Sequence, residues 1–152
     1  MSAITTLYPN FPVFSMALAA GLAYIPHLLR GFVVVQATKR WDNVNPRGQM
    51  ERVQDKMTKE AWQMAKRAEG AHHNGLETLP LFYGAILAAL HTGVAKDTVN
   101  FYAGLFLGTR ALFNIVYIFN TSQVAASVRT GLWVTGIASC IKLFLAAANT
   151  KY

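Results

Sequence analysis

Four apolar stretches constrain the fold of this chain more than any other feature of its sequence. They lie at about residues 11–37, 76–90, 98–119 and 124–148. Because about 20 residues of helix, rising about 1.5 Å per residue, cross a 30 Å hydrocarbon core, three of the stretches are long enough to span a membrane. Only 14% of the residues are charged, against about 25% in soluble domains. The pattern predicts an all-α, multi-pass integral membrane protein.

The second apolar stretch is too short by itself, and we expect its helix to start earlier in the chain. Thr58 is a good N-cap residue, and the sequence KEAWQM that follows it consists mostly of strong helix formers. The two later connections are only a few residues long, so neighbouring helices must pack antiparallel. We therefore predict a single domain, residues 1–152, that folds as a four-helix up-down bundle with spans at about 11–37, 59–91, 98–119 and 124–148.

The basic residues predict which side of the membrane each connection faces. The net charge is +7, and eight of the 14 basic residues lie between Lys39 and Arg67. Positive charge in a short loop marks the cytoplasmic side, which makes the first connection cytoplasmic. In a membrane protein this charge is a topology signal, so we expect no nucleic-acid partner. The predicted location is the endoplasmic reticulum or another endomembrane, or the inner membrane of a bacterium.

A polar cluster begins where the second apolar stretch begins, in the sequence RAEGAHHNGLETLP from Arg67 to Pro80. Ionisable groups are costly next to hydrocarbon and usually face a bundle interior or a polar cavity, so they are candidate site residues. Helical spacing places Arg110 and Tyr117 on one face of the third span, and Arg129 lies near the start of the fourth. The candidate site residues are Arg67, His72, His73, Asn74, Glu77, Arg110, Tyr117 and Arg129.

These residues also have a purely structural interpretation. Interhelical hydrogen bonds between polar side chains stabilise membrane bundles, and Arg110 could pair with Glu77 for that purpose alone. His73 and Glu77 have the i,i+4 spacing of metal ligands, but two ligands make a weak site, and we predict no metal. Gly104 and Gly108 form a G-x-x-x-G pattern, whose usual meaning is close helix packing. The span interiors hold more cations than anions, which favours an anionic ligand.

Several motifs, in their order along the chain, resemble the membrane-associated proteins in eicosanoid and glutathione metabolism, the MAPEG family. They are an Asn-Pro pair in the first loop, a fourth-span arginine, and two patterns in the second and third spans. The second-span pattern, R-x(3)-A-H-x-N-x-x-E, runs from Arg67 to Glu77, and the third-span pattern, R-x(6)-Y, runs from Arg110 to Tyr117. The resemblance covers nearly the whole chain.

The resemblance implies a homotrimer that holds glutathione or a lipid between protomers, near the cytoplasmic face. Residues matching Asn74 and Glu77 hold the glutamyl end of glutathione in family members, and the one matching Arg129 lies near its thiol. A cation there lowers the thiol pKa and favours the nucleophilic thiolate. Tyr117 matches a tyrosine that lines the pocket. We assign Arg129 the catalytic role and the other candidates cofactor binding.

The sequence departs from the glutathione-using eicosanoid enzymes at three positions. Gly70 and His73 stand where those enzymes have arginines that help to hold carboxylates, and Trp133 replaces a tyrosine. The function that the resemblance implies is a glutathione-dependent transferase or peroxidase that acts on hydrophobic electrophiles or lipid peroxides. The alternative is a non-catalytic protein of the same fold that binds lipid or acts as a scaffold, and the missing arginines favour it.

Overall fold

Four long helices form most of the chain between residues 10 and 150, the part that this computed structural model describes. Within that range every regular element is helical, so the all-α prediction is confirmed. Each long helix begins and ends within two residues of the corresponding predicted span. The helices are α1 (Phe11–Thr38), α2 (Lys59–His91), α3 (Lys96–Phe119) and α4 (Gln123–Asn149). The connection between α1 and α2 contains a short helix, Gln49–Arg52, and a 3-10 turn, Gln54–Lys56.

Three of the described helices, α1, α3 and α4, are long and apolar enough to cross a membrane. Helix α2 is the longest, at 33 residues, but five of its six charged residues lie in its first half. At about 1.5 Å per residue it is about 50 Å long, well beyond the 30 Å of a hydrocarbon core. Its charged first turns can therefore extend past the end of the apolar layer.

Side-chain caps fix where two of these helices begin. The Thr58 hydroxyl accepts a hydrogen bond from the backbone N–H of Ala61, which confirms the predicted start of α2. The Ser122 hydroxyl accepts one from Ala125 in the same way at the start of α4. Each cap satisfies a backbone donor that the first helical turn leaves without a partner. The start of α2 and the α3–α4 turn line one pocket, so that turn and the α1–α2 loop lie at the same end of the bundle, which we call the loop end.

Helices α1 and α2 pack antiparallel along much of their length. Near the far end, the Tyr83 hydroxyl donates to the carbonyl of Met16 over 2.9 Å. Nearer the loop end, Gly75 lies so close to α1 that an added Cβ would come within 2.9 Å of the Ala23 Cβ. A larger residue at this position would force the two helices apart. The pairing order, with later residues of α2 meeting earlier residues of α1, is that of an up-down bundle.

Helix α3 lies antiparallel to both α2 and α4. The rings of Phe82 and Phe106 stack with their centroids 4.0 Å apart, in a buried apolar cluster far from the loop end. On the other side of α3, a Cβ at Gly136 of α4 would lie 3.2 Å from the Thr109 hydroxyl. A second cluster, built on Val34, packs the loop against α1 and α2. The loop is therefore part of the folded bundle.

The G-x-x-x-G pattern of α3 does not pack helices within the protomer. Gly104 and Gly108 are exposed, and a Cβ added at either would meet no atom within 4 Å. The expectation that they bring helices together is wrong for a single chain, because α3 turns its Ala103 and Phe106 face to the core instead. Close approach within the protomer occurs at Gly75 and Gly136, which belong to no such motif.

Candidate functional site

A cleft of about 230 Å³ lies between α2, α3 and α4, towards the loop end. Its lining combines one cation, an amide, a phenol and two large aromatic rings. The lining residues are Asn74, Phe113, Tyr117, Arg129, Thr130 and Trp133. Three of them, Asn74, Tyr117 and Arg129, are candidate site residues from the sequence, and Trp133 was noted there as a departure from the family pattern. The fold thus brings together residues that lie up to 59 positions apart.

Arg129 and Tyr117 form the polar centre of the cleft. The guanidinium carbon of Arg129 lies 4.6 Å from the centroid of the Tyr117 ring, in a cation–π arrangement. Arg129 forms no ion pair with a carboxylate anywhere in residues 10–150. Stacking on a ring leaves the in-plane N–H donors of a guanidinium available to an anion. The cleft therefore offers a positive charge with free hydrogen-bond donors beside a phenolic hydroxyl.

The missing side chain at Gly70 leaves room for the Tyr117 hydroxyl. A Cβ added to Gly70 would come within 2.7 Å of that hydroxyl oxygen and 3.2 Å of the ring carbon that bears it. The phenol thus occupies the space that a side chain at position 70 would need. The sequence identified Gly70 only as a missing arginine, because the contact joins helices that are far apart in the chain.

We expect Gly70→Ala to move Tyr117 and alter the cleft with little loss of stability. The clash falls on the far end of a side chain that can rotate, and alanine is a better helix former than glycine by about 1 kcal/mol, so the two effects on the unfolding free energy should largely offset. Ligand affinity should change more, since the hydroxyl and the Arg129 stack move together. Tyr117→Phe removes the closest clashing atom and is the matched control. If Gly70→Ala has the same effect on ligand binding in the Tyr117→Phe background, the contact does not position the phenol.

The α2 motif places its polar residues on different faces. Asn74 is half-buried at the cleft, and its Oδ1 atom is buried without a hydrogen-bond partner in the described chain. His73 and Glu77 are exposed on the outer side of α2, and neither lines the cleft. Glu77 forms no ion pair with any residue that the structure describes. A single protomer therefore leaves Glu77 open to another molecule.

Arg110 does not pair with Glu77, so that expectation is wrong. The Arg110 side chain is buried between α1, α2 and α3, and both of its terminal nitrogens lack a hydrogen-bond partner among residues 10–150. Its guanidinium carbon lies 4.2 Å from the centroid of the Phe113 ring. Arg110 does not line the cleft, but it packs against Phe113, which does.

Arg67 and His72 link helices within the protomer. Arg67 Nε donates to the carbonyl of Ile118 over 2.8 Å, satisfying an acceptor at the end of α3. His72 is buried, with Nδ1 2.8 Å from the carbonyl oxygen of Ala23 on α1. Neither side chain lines the cleft. In the described residues, no three histidine, cysteine or carboxylate groups are arranged to hold a metal ion.

Glu69, on the side of α2 that faces α1, forms ion pairs with two cations. Arg30 Nη1 lies 2.7 Å from Glu69 Oε1, and Lys66 Nζ lies 2.8 Å from Glu69 Oε2. The Arg30 and Glu69 side chains are 7% and 15% exposed, so water screens the pair weakly. Because Glu69 is already neutralised, it leaves the charge of Arg129 unbalanced. Arg30 is likewise unavailable to replace the cations missing at Gly70 and His73.

Sequence reasoning missed two residues of the cleft, Phe113 and Thr130. Phe113 lies four positions before Tyr117, and Thr130 directly follows Arg129. The i,i+4 spacing was a usable signal for Phe113, since such residues share a helix face. No comparable signal pointed to Thr130, because adjacent residues on a helix point about 100° apart.

Comparison with known proteins gave one family match. The sequence model described as MAPEG family matches residues 14–149, which include every residue of the cleft. Comparison with curated proteins and comparison with solved structures gave no match.

Proposed function

Since the chain belongs to the MAPEG family and is an integral membrane protein, we propose that it is a membrane-bound glutathione-dependent transferase or peroxidase. Its second substrates would be hydrophobic electrophiles or lipid peroxides that enter the site from the bilayer. Glutathione would act as the co-substrate.

One observation carries this proposal: the unpaired Arg129 guanidinium stacked on Tyr117 in a cleft between three helices. The thiolate of glutathione is its reactive form, and a nearby fixed cation stabilises it relative to the thiol. Arg129 would donate hydrogen bonds to the sulfur, and the Tyr117 hydroxyl could donate a second. The sulfur would attack the electrophilic carbon of the second substrate, forming a C–S bond as the leaving group departs with its electron pair.

Assembly would complete the site. We propose a homotrimer in which a neighbouring protomer covers the outer side of α2, where His73 and Glu77 are exposed. Asn74 and Glu77, about 60° apart around the axis of α2, would then hold the glutamyl end of the tripeptide at the junction between the two protomers. In this arrangement α2 is the fourth membrane helix and its charged first turns project from the membrane. The loop end faces the cytoplasm, in an endomembrane such as the endoplasmic reticulum or in a bacterial inner membrane.

The experiment that tests the proposal is calorimetric titration of the detergent-purified protein with S-hexyl-glutathione. We expect binding to wild type, and at least tenfold weaker binding to Glu77→Gln, since a hydrogen bond to a charged group contributes about 1.5–3 kcal/mol. Arg129→Ala should bind this S-alkylated analogue nearly as well as wild type and lose affinity mainly for glutathione itself, because only glutathione presents a thiolate to Arg129. Lys142→Ala is the matched control, because it removes an exposed cation from the same helix far from the cleft. If assembled wild-type protein does not bind the analogue, the glutathione-dependent function is excluded.

A second candidate function is non-catalytic lipid binding or scaffolding by the same fold. Only one cation, Arg129, lies among the residues that line the cleft, and this small number favours the second candidate. The glutathione-using eicosanoid enzymes that the sequence resembles have arginines at the positions of Gly70 and His73, and this chain does not. In this case wild-type protein would bind neither glutathione nor S-hexyl-glutathione, and Arg129→Ala would change only the stability of the bundle, through the lost contact with Tyr117.

A further inference from the structure

A second pocket, of about 440 Å³, lies at the loop end, where α1 runs into the loop. It is built from the last turn of α1, the segment after it, the short helix and the 3-10 turn. Its lining residues are Thr38, Arg40, Trp41, Asp42, Gln49, Arg52, Val53 and Lys56. It shares no residue with the Arg129 cleft, and it takes no part in the function proposed above.

The pocket carries uncompensated positive charge. Of its three cations, Arg52 is paired with Asp42 over 2.8 Å. Asp42 also accepts hydrogen bonds from the backbone N–H groups of Asn45 and Val44; these bonds and Arg52 lower its pKa, so it stays ionised and fully engaged. The other two cations form no ion pair in the part of the chain that the structure describes. They are Arg40 and Lys56.

The length of α1 and the position of Trp41 are those expected of a pocket at the depth of lipid headgroups. Helix α1 has 28 residues and a length of about 42 Å, so about 12 Å of it extends beyond a 30 Å hydrocarbon core. The Trp41 ring folds back beside Gly31 and lies 5.6 Å from the Arg30 guanidinium carbon, in the last three turns of α1. Tryptophan is enriched at this level of membrane proteins. Val44, in the same loop, is 86% exposed, as a residue dipping into the bilayer surface would be.

We propose that this pocket binds the headgroup of an anionic phospholipid, with the phosphate held by Arg40 and Lys56. The volume suits a single headgroup. The buried Gln49 Oε1, which has no hydrogen-bond partner in residues 10–150, adds an acceptor beside the cations for a hydroxyl-bearing headgroup such as that of phosphatidylglycerol. The attraction between basic residues and an anionic leaflet becomes specific where a cavity fixes two cations around one phosphate.

The test is native mass spectrometry of the full chain, titrated in a neutral detergent with phosphatidylglycerol, phosphatidylcholine or inorganic phosphate. The pocket variant is Arg40→Gln with Lys56→Gln, and the control is Arg47→Gln with Lys59→Gln, which removes equal charge from the same region outside the pocket. We expect one phosphatidylglycerol per chain for wild type and control. Each pocket charge removed should weaken binding about fivefold, so the pocket variant should bind about 25-fold more weakly.

Two results would overturn the proposal. Equal weakening in the pocket and control variants would mean that the lipid responds only to diffuse surface charge. Saturation by inorganic phosphate at the same concentration as the lipid would mean that the pocket holds a soluble anion. Thermal unfolding of both double variants without lipid shows whether either has lost its fold. In that case the single variants Arg40→Gln and Lys56→Gln replace the pocket variant, and Arg47→Gln and Lys59→Gln replace the control.

Discussion

Replacing Arg129 with alanine is expected to lower the rate of glutathione conjugation at pH 7 by at least tenfold while the bundle stays folded. A free cysteine thiol has a pKa of about 8.5, so only a few per cent of it is ionised at pH 7. A fixed cation that lowers this pKa by about two units brings the thiolate fraction above half. Loss of the cation therefore removes most of the reactive form.

The pH dependence distinguishes this role from a structural one. Without Arg129 the thiol pKa moves back towards about 8.5, so the rate for Arg129→Ala should rise steeply with pH and approach the wild-type rate near pH 9. A structural defect would lower the rate at every pH alike. Arg129→Lys keeps a charge but loses the planar fork, and we expect an intermediate rate.

The measurement is the initial conjugation rate from pH 6 to 9 with saturating glutathione, together with the unfolding midpoint in detergent. Lys142→Ala, the cation control on the same helix, should match wild type in both. A midpoint for Arg129→Ala far below wild type, with a rate deficit that does not depend on pH, would assign Arg129 to the structure of the bundle. Under the catalytic assignment, Arg129→Ala loses only the cation–π contact with Tyr117, so we expect its unfolding free energy to fall by no more than about 1 kcal/mol.

The helices could be predicted because membrane length and capping chemistry are local properties. Each apolar stretch had to reach across about 30 Å, and Thr58 marked the start of the one helix whose apolar part was too short. Which face of a helix points inward is a different problem. In a membrane both the core and the surroundings are apolar, so hydrophobic periodicity carries little information. The outward orientation of Gly104 and Gly108 on α3 could not be deduced for this reason.

The candidate site was predicted in part, and its failures have a geometric cause. Asn74, Tyr117 and Arg129, all candidate site residues from the sequence, line one cleft. Glu77 lies three residues beyond Asn74, a rotation of about 60° around the helix axis, which is enough to carry it from the cleft to the outer surface. Arg110 is buried inside the bundle, whereas Glu77, the partner considered for it, is exposed. Side-chain pairing between helices depends on rotations of this size, which spacing within one helix does not determine.

The largest stability effect is expected at the buried ion pair of Arg30 and Glu69. Removing one partner of a buried pair typically costs about 3–5 kcal/mol, because it leaves the other charge unpaired. The single variants Arg30→Met and Glu69→Leu should differ in how much stability they lose. Arg30→Met leaves Glu69 paired with Lys66 over 2.8 Å, whereas Glu69→Leu leaves the 7% exposed Arg30 side chain without an anion. Glu69→Leu should therefore be the more destabilising change.

The double variant separates the charge effect from packing. Arg30→Met with Glu69→Leu removes both charges and keeps comparable apolar volume, so it should be more stable than Glu69→Leu alone and near wild type. The measurement is the unfolding free energy of all four proteins in mixed micelles. Arg52→Gln is the control, since its pair with Asp42 is 48% and 37% exposed and should contribute little. If the two single losses simply add in the double variant, Arg30 and Glu69 are not energetically coupled, and the cluster does not hold α1 against α2.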